Sequence, residues 1–224
     1  MKLILINSNP DNSFAAYYSG SAFIISRTAD FMSAEELNNV NKSPDKLIHC
    51  LNYISSLPEV NLNDIDAISV TIGPGSFTGI RVGLAIAKGI ADSLGKKIIP
   101  INNFELILSR LQNIEKNKKY CVLIQAKLPE YYYSIIENNK EIKSGFVQIS
   151  EINTIIEDNI NIVGDFSDET MGKLSYFSMS NVKNFKPEAE AMAELSKKLF
   201  DSSIIFSSGQ VKPLYIKDFV IRKT

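Results

Sequence analysis

The sequence predicts an α/β protein built as two lobes, each a partly parallel sheet with helices packed on it. Three observations carry this expectation. Short β-branched runs alternate with helical patterns through the first hundred residues, and a similar alternation starts again near residue 104. The chain, at 224 residues, is long enough for two small lobes that together bury roughly 70% of the unfolded surface.

Leu3 to Ile6 reads as a buried strand, and Asn7-Ser8-Asn9-Pro10-Asp11-Asn12 is a dense turn signal. Two further strands follow, Phe14 to Tyr18 and Ala22 to Arg27, split by Ser19-Gly20, so the chain opens as a meander. Residues 30–42 carry only a weak helical pattern. Ser43-Pro44 then looks like an N-cap with proline at the first helical position, and a helix is expected from Pro44 to about Leu57. Its apolar residues Leu47, Ile48, Leu51, Ile54 and Leu57 recur at three and four, which gives one stripe to bury. Ala67 to Ile72 is a strand ending in Gly73-Pro74-Gly75, and Thr78 to Leu94 a largely buried helix with Gly95 placed as its C-cap. Lys97 to Ile101 is another strand.

The second half repeats the theme in degenerate form. A helix is expected around Phe104 to Gln112, then strands at Tyr120 to Ala126, Tyr131 to Glu137 and Glu141 to Val147. Helices are expected over Ser150–Glu157 and Pro187–Phe200, with a strand at Ile160 to Gly164 between them. The lobe boundary falls after residue 102, giving lobes of 1–102 and 103–224. Strand, strand, strand, helix, strand, helix, strand is the order of one lobe of the actin-like ATPase fold, the ribonuclease H-like unit shared by actin, hexokinase and Hsp70. A helix between two strands implies parallel pairing between them.

Composition removes several function classes. Lys plus Arg is 24 against 25 for Asp plus Glu, a net charge of -1, which is not the footprint of a protein that holds RNA alone. His49 is the only histidine and no acidic cluster is visible, so a zinc site or histidine-dependent triad lacks raw material. Cys50 and Cys121 sit apart in apolar surroundings and read as buried free thiols, which suits a reducing compartment. The N-terminal apolar run stops at Asn7, too short for a signal peptide core or a membrane span, and a cytoplasmic location is expected.

The most informative stretch runs Thr71-Ile72-Gly73-Pro74-Gly75-Ser76-Phe77-Thr78-Gly79-Ile80-Arg81-Val82-Gly83 and on to Ala91. It is neither a P-loop nor a dinucleotide fingerprint, because Gly-Lys-Ser/Thr and the three-glycine spacing are both missing. The small residues Gly79, Gly83, Ala87 and Ala91 recur every fourth position and let another backbone approach closely. That neighbour is either an element of the same lobe or another chain; spacing alone leaves both open. Tyr131-Tyr132-Tyr133 is read as strand packing, with Tyr131 and Tyr133 on one side and Tyr132 on the other, rather than as a base-stacking platform.

Gly-Pro-Gly-Ser-Phe-Thr-Gly-Ile-Arg-x-Gly with the following Ala and Gly spacing closely resembles the hallmark of the TsaB family, paralogues of the TsaD/Kae1 threonylcarbamoyl transferases. The chain length, the meander opening and Lys212-Pro-Leu-Tyr-Ile216 resemble that family too. The resemblance implies two actin-like lobes that pair through helices of the first lobe, as a homodimer or with the catalytic paralogue TsaD. On that basis the expected partner surface is Leu47, Leu51, Ile54, Gly79, Ile80, Gly83, Leu84 and Ala87. It further implies a non-catalytic scaffold role in threonylcarbamoyl modification of tRNA adenosine beside the anticodon. The small ATPase TsaE is implied as a further partner, and tRNA would be reached only through the complex.

Enzymes of the actin-like fold place a carboxylate at the end of the first strand. Here that position is Asn7, within Asn7-Ser8-Asn9-Pro10, with no glycine to close on a phosphate. No cofactor is expected on this chain alone, and ATP or ADP only at a subunit interface. In the second lobe, Gln125 and Lys127 stand where relatives usually carry Asp-Ala-Arg, another drift away from charged function. Two rival functions stay open: a glycoprotease-like hydrolase, for which Ser76 and His49 lack visible partners, and a homodimeric binding module with no tRNA role.

Overall fold

The computed structural model describes residues 1–9, 13–20, 22–27, 44–111, 113–115, 117–126, 129–156, 160–164, 170, 172, 174 and 185–216. The weak pattern at 30–42, the cap at Ser43 and the position of Lys127 lie outside them.

The chain divides into two compact units, Met1–Asn102 with Ala189–Pro213, and Asn103–Glu188 with Leu214–Thr224. The break after residue 102 falls where the sequence puts it. The expected second lobe, 103–224, is corrected in one respect: Ala189–Pro213 belong to the first unit.

In the first unit β1 (Lys2–Asn7), β2 (Phe14–Ser19), β3 (Phe23–Arg27), β4 (Ala67–Gly73) and β5 (Lys97–Asn102) form one sheet in the order β3-β2-β1-β4-β5. β2 pairs antiparallel with β1 and with β3, while β1–β4 and β4–β5 are parallel. The parallel pairs require crossovers, supplied by α1 (Pro44–Ser55) between β3 and β4 and by α2 (Phe77–Leu94) between β4 and β5. The inner strands read as continuous apolar runs because both their faces are buried. Ile4, Ile6, Ile68, Val70 and Ile98 point into a core closed by α1 and α2, through Leu47, Cys50, Ile54, Leu84, Ala87 and Ala91.

Residues of the opposite parity face the other side, where α4 (Glu188–Asp201) lies. There the Ser69 and Ser196 hydroxyls are 2.7 Å apart, and Ser196 Oγ also donates to the Met192 carbonyl at 2.5 Å. After α4 the chain returns to the sheet edge, where Ile98 and Phe206 exchange backbone hydrogen bonds of 2.8 and 2.9 Å, and Val211 enters the α1–α2 core.

The second unit repeats the topology with fewer parts. β6 (Lys119–Gln125), β7 (Glu130–Glu137), β8 (Lys140–Gln148) and β9 (Ile160–Gly164) are ordered β8-β7-β6-β9, antiparallel through the meander and parallel between β6 and β9. α3 (Asn103–Ser109) packs Phe104 and Leu108 with Tyr120, Val122, Ile136 and Val163. Tyr131 and Tyr133 are buried on the opposite sheet face and Tyr132 packs toward Phe104, the alternation the sequence predicts. The expected helix over Ser150–Glu157 is instead a short 3₁₀ segment, Ile149–Thr154. Its apolar residues Ile149 and Ile152 recur at three, the 3₁₀ period, and both enter the core. A meander followed by a parallel strand, found in both units, is the ribonuclease H-like lobe of the actin-like fold.

Candidate functional site: the glycine turn and the two faces of helix α2

β4 leaves the sheet through Gly73, at φ 109°, a backbone angle that favours glycine, followed by a cis Gly73–Pro74 peptide. Ser76 then caps α2: its side-chain oxygen accepts from the Gly79 N–H at 3.3 Å. Read from the sequence, the helix starts at Thr78; this cap moves the start to Phe77. Gly95, at φ 63°, ends the helix in the left-handed conformation and returns its N–H to the Ala91 carbonyl. Because Ser76 Oγ serves as a cap, its hydroxyl is engaged in holding the helix start.

β1 ends beside this turn. Asn7 is buried, and its Oδ1 accepts from Thr71 Oγ1 at 3.3 Å and from the Asn9 N–H at 3.1 Å. The Ser8 N–H reaches Thr71 Oγ1 at 3.5 Å. Ser8 lies directly on α2. A Cβ at Gly79 would overlap the Ser8 carbonyl oxygen, and one at Gly83 would sit 2.6 Å from Ser8 Oγ and 2.7 Å from Ser8 Cβ. The small residues therefore admit the end of β1.

This corrects the expected partner surface. Leu47, Ile54, Ile80, Gly83, Leu84 and Ala87 are buried within the first unit; only Leu51 and Gly79 keep partial exposure, and Gly79 abuts Ser8. At 100° per residue, seating Gly83 and Ala87 against the sheet turns the opposite side of α2 outward. Arg81, Ala85, Gly89 and Asp92 are exposed there, and Val82, Ile86 and Ile90 flank them half-buried. Arg81 lies over the Phe77 ring at 3.6 Å. On α1 the predicted stripe is likewise revised: Ile48 is 42% exposed and Tyr53 46%, while Cys50 takes a place in the core. His49 is exposed on the same helix.

Between the two helices lies an apolar groove of about 160 Å³ lined by Ile4, Leu51, Asn52, Ser55, Leu62 and Ile90. Ile48, one turn before Leu51 and Asn52, stands at its α1 rim. Among the described residues the outward face is apolar in its groove and carries Arg81 and Asp92 along the α2 crest.

The site does not fit a metal–phosphate group of the kind the fold often holds. The neutral Asn7 amide oxygen is taken by Thr71 and Asn9, and Ser8 fills the space that Gly79 and Gly83 open. Among the described residues no group of three or more His, Cys, Asp or Glu is placed to hold a metal. Burial pushes the Cys121 thiol up to about 12, so it stays protonated at neutral pH and is a poor nucleophile. No helix among the described residues is long and apolar enough to cross a membrane.

Two ribonuclease H-like units, the first carrying the glycine turn and α2, define an actin-like α/β protein. Residues 44–184 match the family described as TsaD: tRNA N6-adenosine threonylcarbamoyltransferase, a stretch that begins at α1 and includes the turn. The chain is 24% identical over 192 residues to a Haemophilus influenzae protein named tRNA threonylcarbamoyladenosine biosynthesis protein TsaB, covering 80% of this chain and 81% of that one. An Ehrlichia canis tRNA N6-adenosine threonylcarbamoyltransferase is 43% identical over 67 residues, which is 30% of this chain and 18% of the enzyme. The solved structure of YeaZ from Pseudomonas aeruginosa superposes with a TM-score of 0.70 at 14% identity, covering 96% of this chain and 99% of that one. The chain belongs to the family described as TsaD: tRNA N6-adenosine threonylcarbamoyltransferase, whose model matches more than half of it.

Proposed function

We propose that this chain takes part in threonylcarbamoyladenosine biosynthesis on tRNA as a non-catalytic subunit that dimerises with the catalytic paralogue TsaD. The likeness to a TsaB-named protein over most of both chains supports the pathway. The observation that carries the scaffold reading is the outward face of α1 and α2: an apolar groove that runs from Leu51 to Ile90, with the exposed Ile48 one helical turn before it. An apolar groove between two helices is a natural seat for a partner helix, and burying such a face on another chain is the usual way it leaves water. Asn7, neutral and committed to Thr71 and Asn9, supports leaving the chemistry to the partner. On this reading tRNA and TsaE are met through the complex, and ATP or ADP belongs to the interface between subunits. Because the core residues named from the sequence serve the unit itself, the partner is assigned to Ile48, Leu51, Ile86 and Ile90.

The test mixes the purified chain with TsaD of the same organism and measures both co-elution and threonylcarbamoyl transfer to tRNA. Complex formation with a gain in transfer is the expected outcome. A complex lost in Ile48→Asp and Ile86→Asp, with folding intact, would place the partner on this face. No complex under any nucleotide condition would end the scaffold reading.

A further inference from the structure

β8 is an edge of the second sheet, whose order is β8-β7-β6-β9, and among the described residues no strand but β7 pairs with it. Edge strands are usually guarded by charge, because their outer N–H and C=O groups can template another strand. The middle of β8 is guarded poorly. Ile142 is 56% exposed and Phe146 49%. Ile142 is the residue that a bulge leaves over, since Ile135 and Ile136 of β7 pair with Lys143 and Glu141. The Glu141 carboxylate is drawn back over its own sheet, where it accepts from Ser134 Oγ at 2.8 Å and from Ser144 Oγ at 2.9 Å. The two exposed apolar residues stand at equal spacing on either side of Ser144.

We propose that β8 pairs antiparallel with β8 of a second copy about a two-fold axis through Ser144, so that Ile142 of each copy meets Phe146 of the other. The symmetry of the strand argues for a second copy rather than a foreign strand. An isologous contact brings residue i to j and j to i, and exposed apolar residues spaced equally about one position are what it requires. Aromatic–β-branched pairs are among the favourable cross-strand contacts. In this register Lys143 lies opposite Gly145 and Lys140 opposite Gln148, so no like charges meet. A two-fold axis normal to the sheet preserves its faces, and the neighbouring registers therefore have their axes at Lys143 or Gly145. The first sets Lys143 against Lys143; the second sets Ile142 against Gln148 and Phe146 against Ser144. Lysine repulsion thus rejects one alternative and apolar pairing the other. A contact centred on so few residues falls below the roughly 1,200–2,000 Å² of stable interfaces, so the dimer is weak and forms at high protein concentration. No residue of α1 or α2 takes part in it.

The experiment uses the full chain carrying Ser144→Cys. Directly opposed residues of an antiparallel pair have Cα atoms about 4.5–5.5 Å apart, inside the range of about 4.4–6.8 Å that a disulfide spans. Cys50 and Cys121 are buried and add little background. Under mild oxidation Ser144→Cys is expected to form a covalent dimer about tenfold faster than Glu151→Cys, an exposed position off the strand, because pairing raises the effective thiol concentration. Adding Ile142→Lys or Phe146→Lys is expected to lower that rate to the Glu151→Cys level, with circular dichroism confirming that each variant folds. An equal mixture of Ile142→Cys and Phe146→Cys chains, one of them tagged, should give the mixed dimer in preference to either same-residue dimer. A random distribution in that mixture overturns the register. Ser144→Cys that cross-links no faster than Glu151→Cys, or a rate that neither lysine variant moves, overturns the pairing of β8 with a second copy.

Discussion

The two sides of α2 carry similar residues and do opposite work. The inward side has Gly79, Gly83, Ala87 and Ala91, and the outward side has Ala85 and Gly89 among Val82, Ile86 and Ile90. Inward, the absence of a side chain is filled by the unit itself: Ser8 sits where Cβ atoms at Gly79 and Gly83 would be. Outward, Gly89 faces open space. A small residue means close packing only where something is there to pack, and on this helix the intramolecular neighbour occupies one side alone.

Substitutions on the two sides should therefore separate folding from association. The largest effect is expected for Gly83→Leu, which drives a branched side chain into Ser8 and Ile6; the isolated chain should lose more than about 3 kcal/mol or fail to fold, measured by urea denaturation. A chain of unchanged stability would return Gly83 to the partner surface. Next, Gly79→Ala should cost about 1–3 kcal/mol, because the clash is with the Ser8 backbone carbonyl, which cannot rotate away as a side chain can. Its partner experiment is Ser8→Gly in a Gly83→Ala background, where removing Ser8 Oγ and Cβ should recover most of the lost stability in a double-mutant cycle. Additive costs would mean the two residues do not meet.

Smaller still, Ser69→Ala should cost about 1 kcal/mol by removing the hydroxyl contact between β4 and α4, with Ser196 keeping its bond to the Met192 carbonyl. That change tests whether α4 is fastened to the first unit. On the outward side, Ala85→Glu should leave stability within about 0.5 kcal/mol while weakening association. A large loss of stability there would collapse the distinction between the sides.

Much of the fold is legible because strands and caps are local. The runs at 67–72 and 160–164, the meander, and Gly95 as a cap all follow from β-branched composition and turn chemistry, and the repeated topology follows from crossover helices. The tyrosine run is legible for the same reason, since a strand alternates its faces whatever surrounds it. Ser76 carries a signal that a helix start at Thr78 misses: a serine directly before an apolar helical run is a cap signal. The candidate site was read only to the level of its helices. Within α1, Ile48 and Cys50 are both apolar neighbours of the Leu47–Leu51–Ile54 stripe, and periodicity alone does not say which of the two is buried.

By itself the sequence determined the elements, their two-fold repetition and the stretch that ties the chain to its family. Tertiary structure alone decided what fills the small-residue side of α2, and that α4 returns to cover the first sheet. The reason is physical. Arg81, Lys88 and Asp92 share one side of α2 and already mark it as outward, but the spacing of Gly79 and Gly83 on the other side does not say what they admit, and that neighbour, Ser8, comes from the end of a strand about seventy residues away. The return of α4 rests on the opposite face of β4, where Ser69 waits for a hydroxyl 127 residues away, a pairing no local signal encodes.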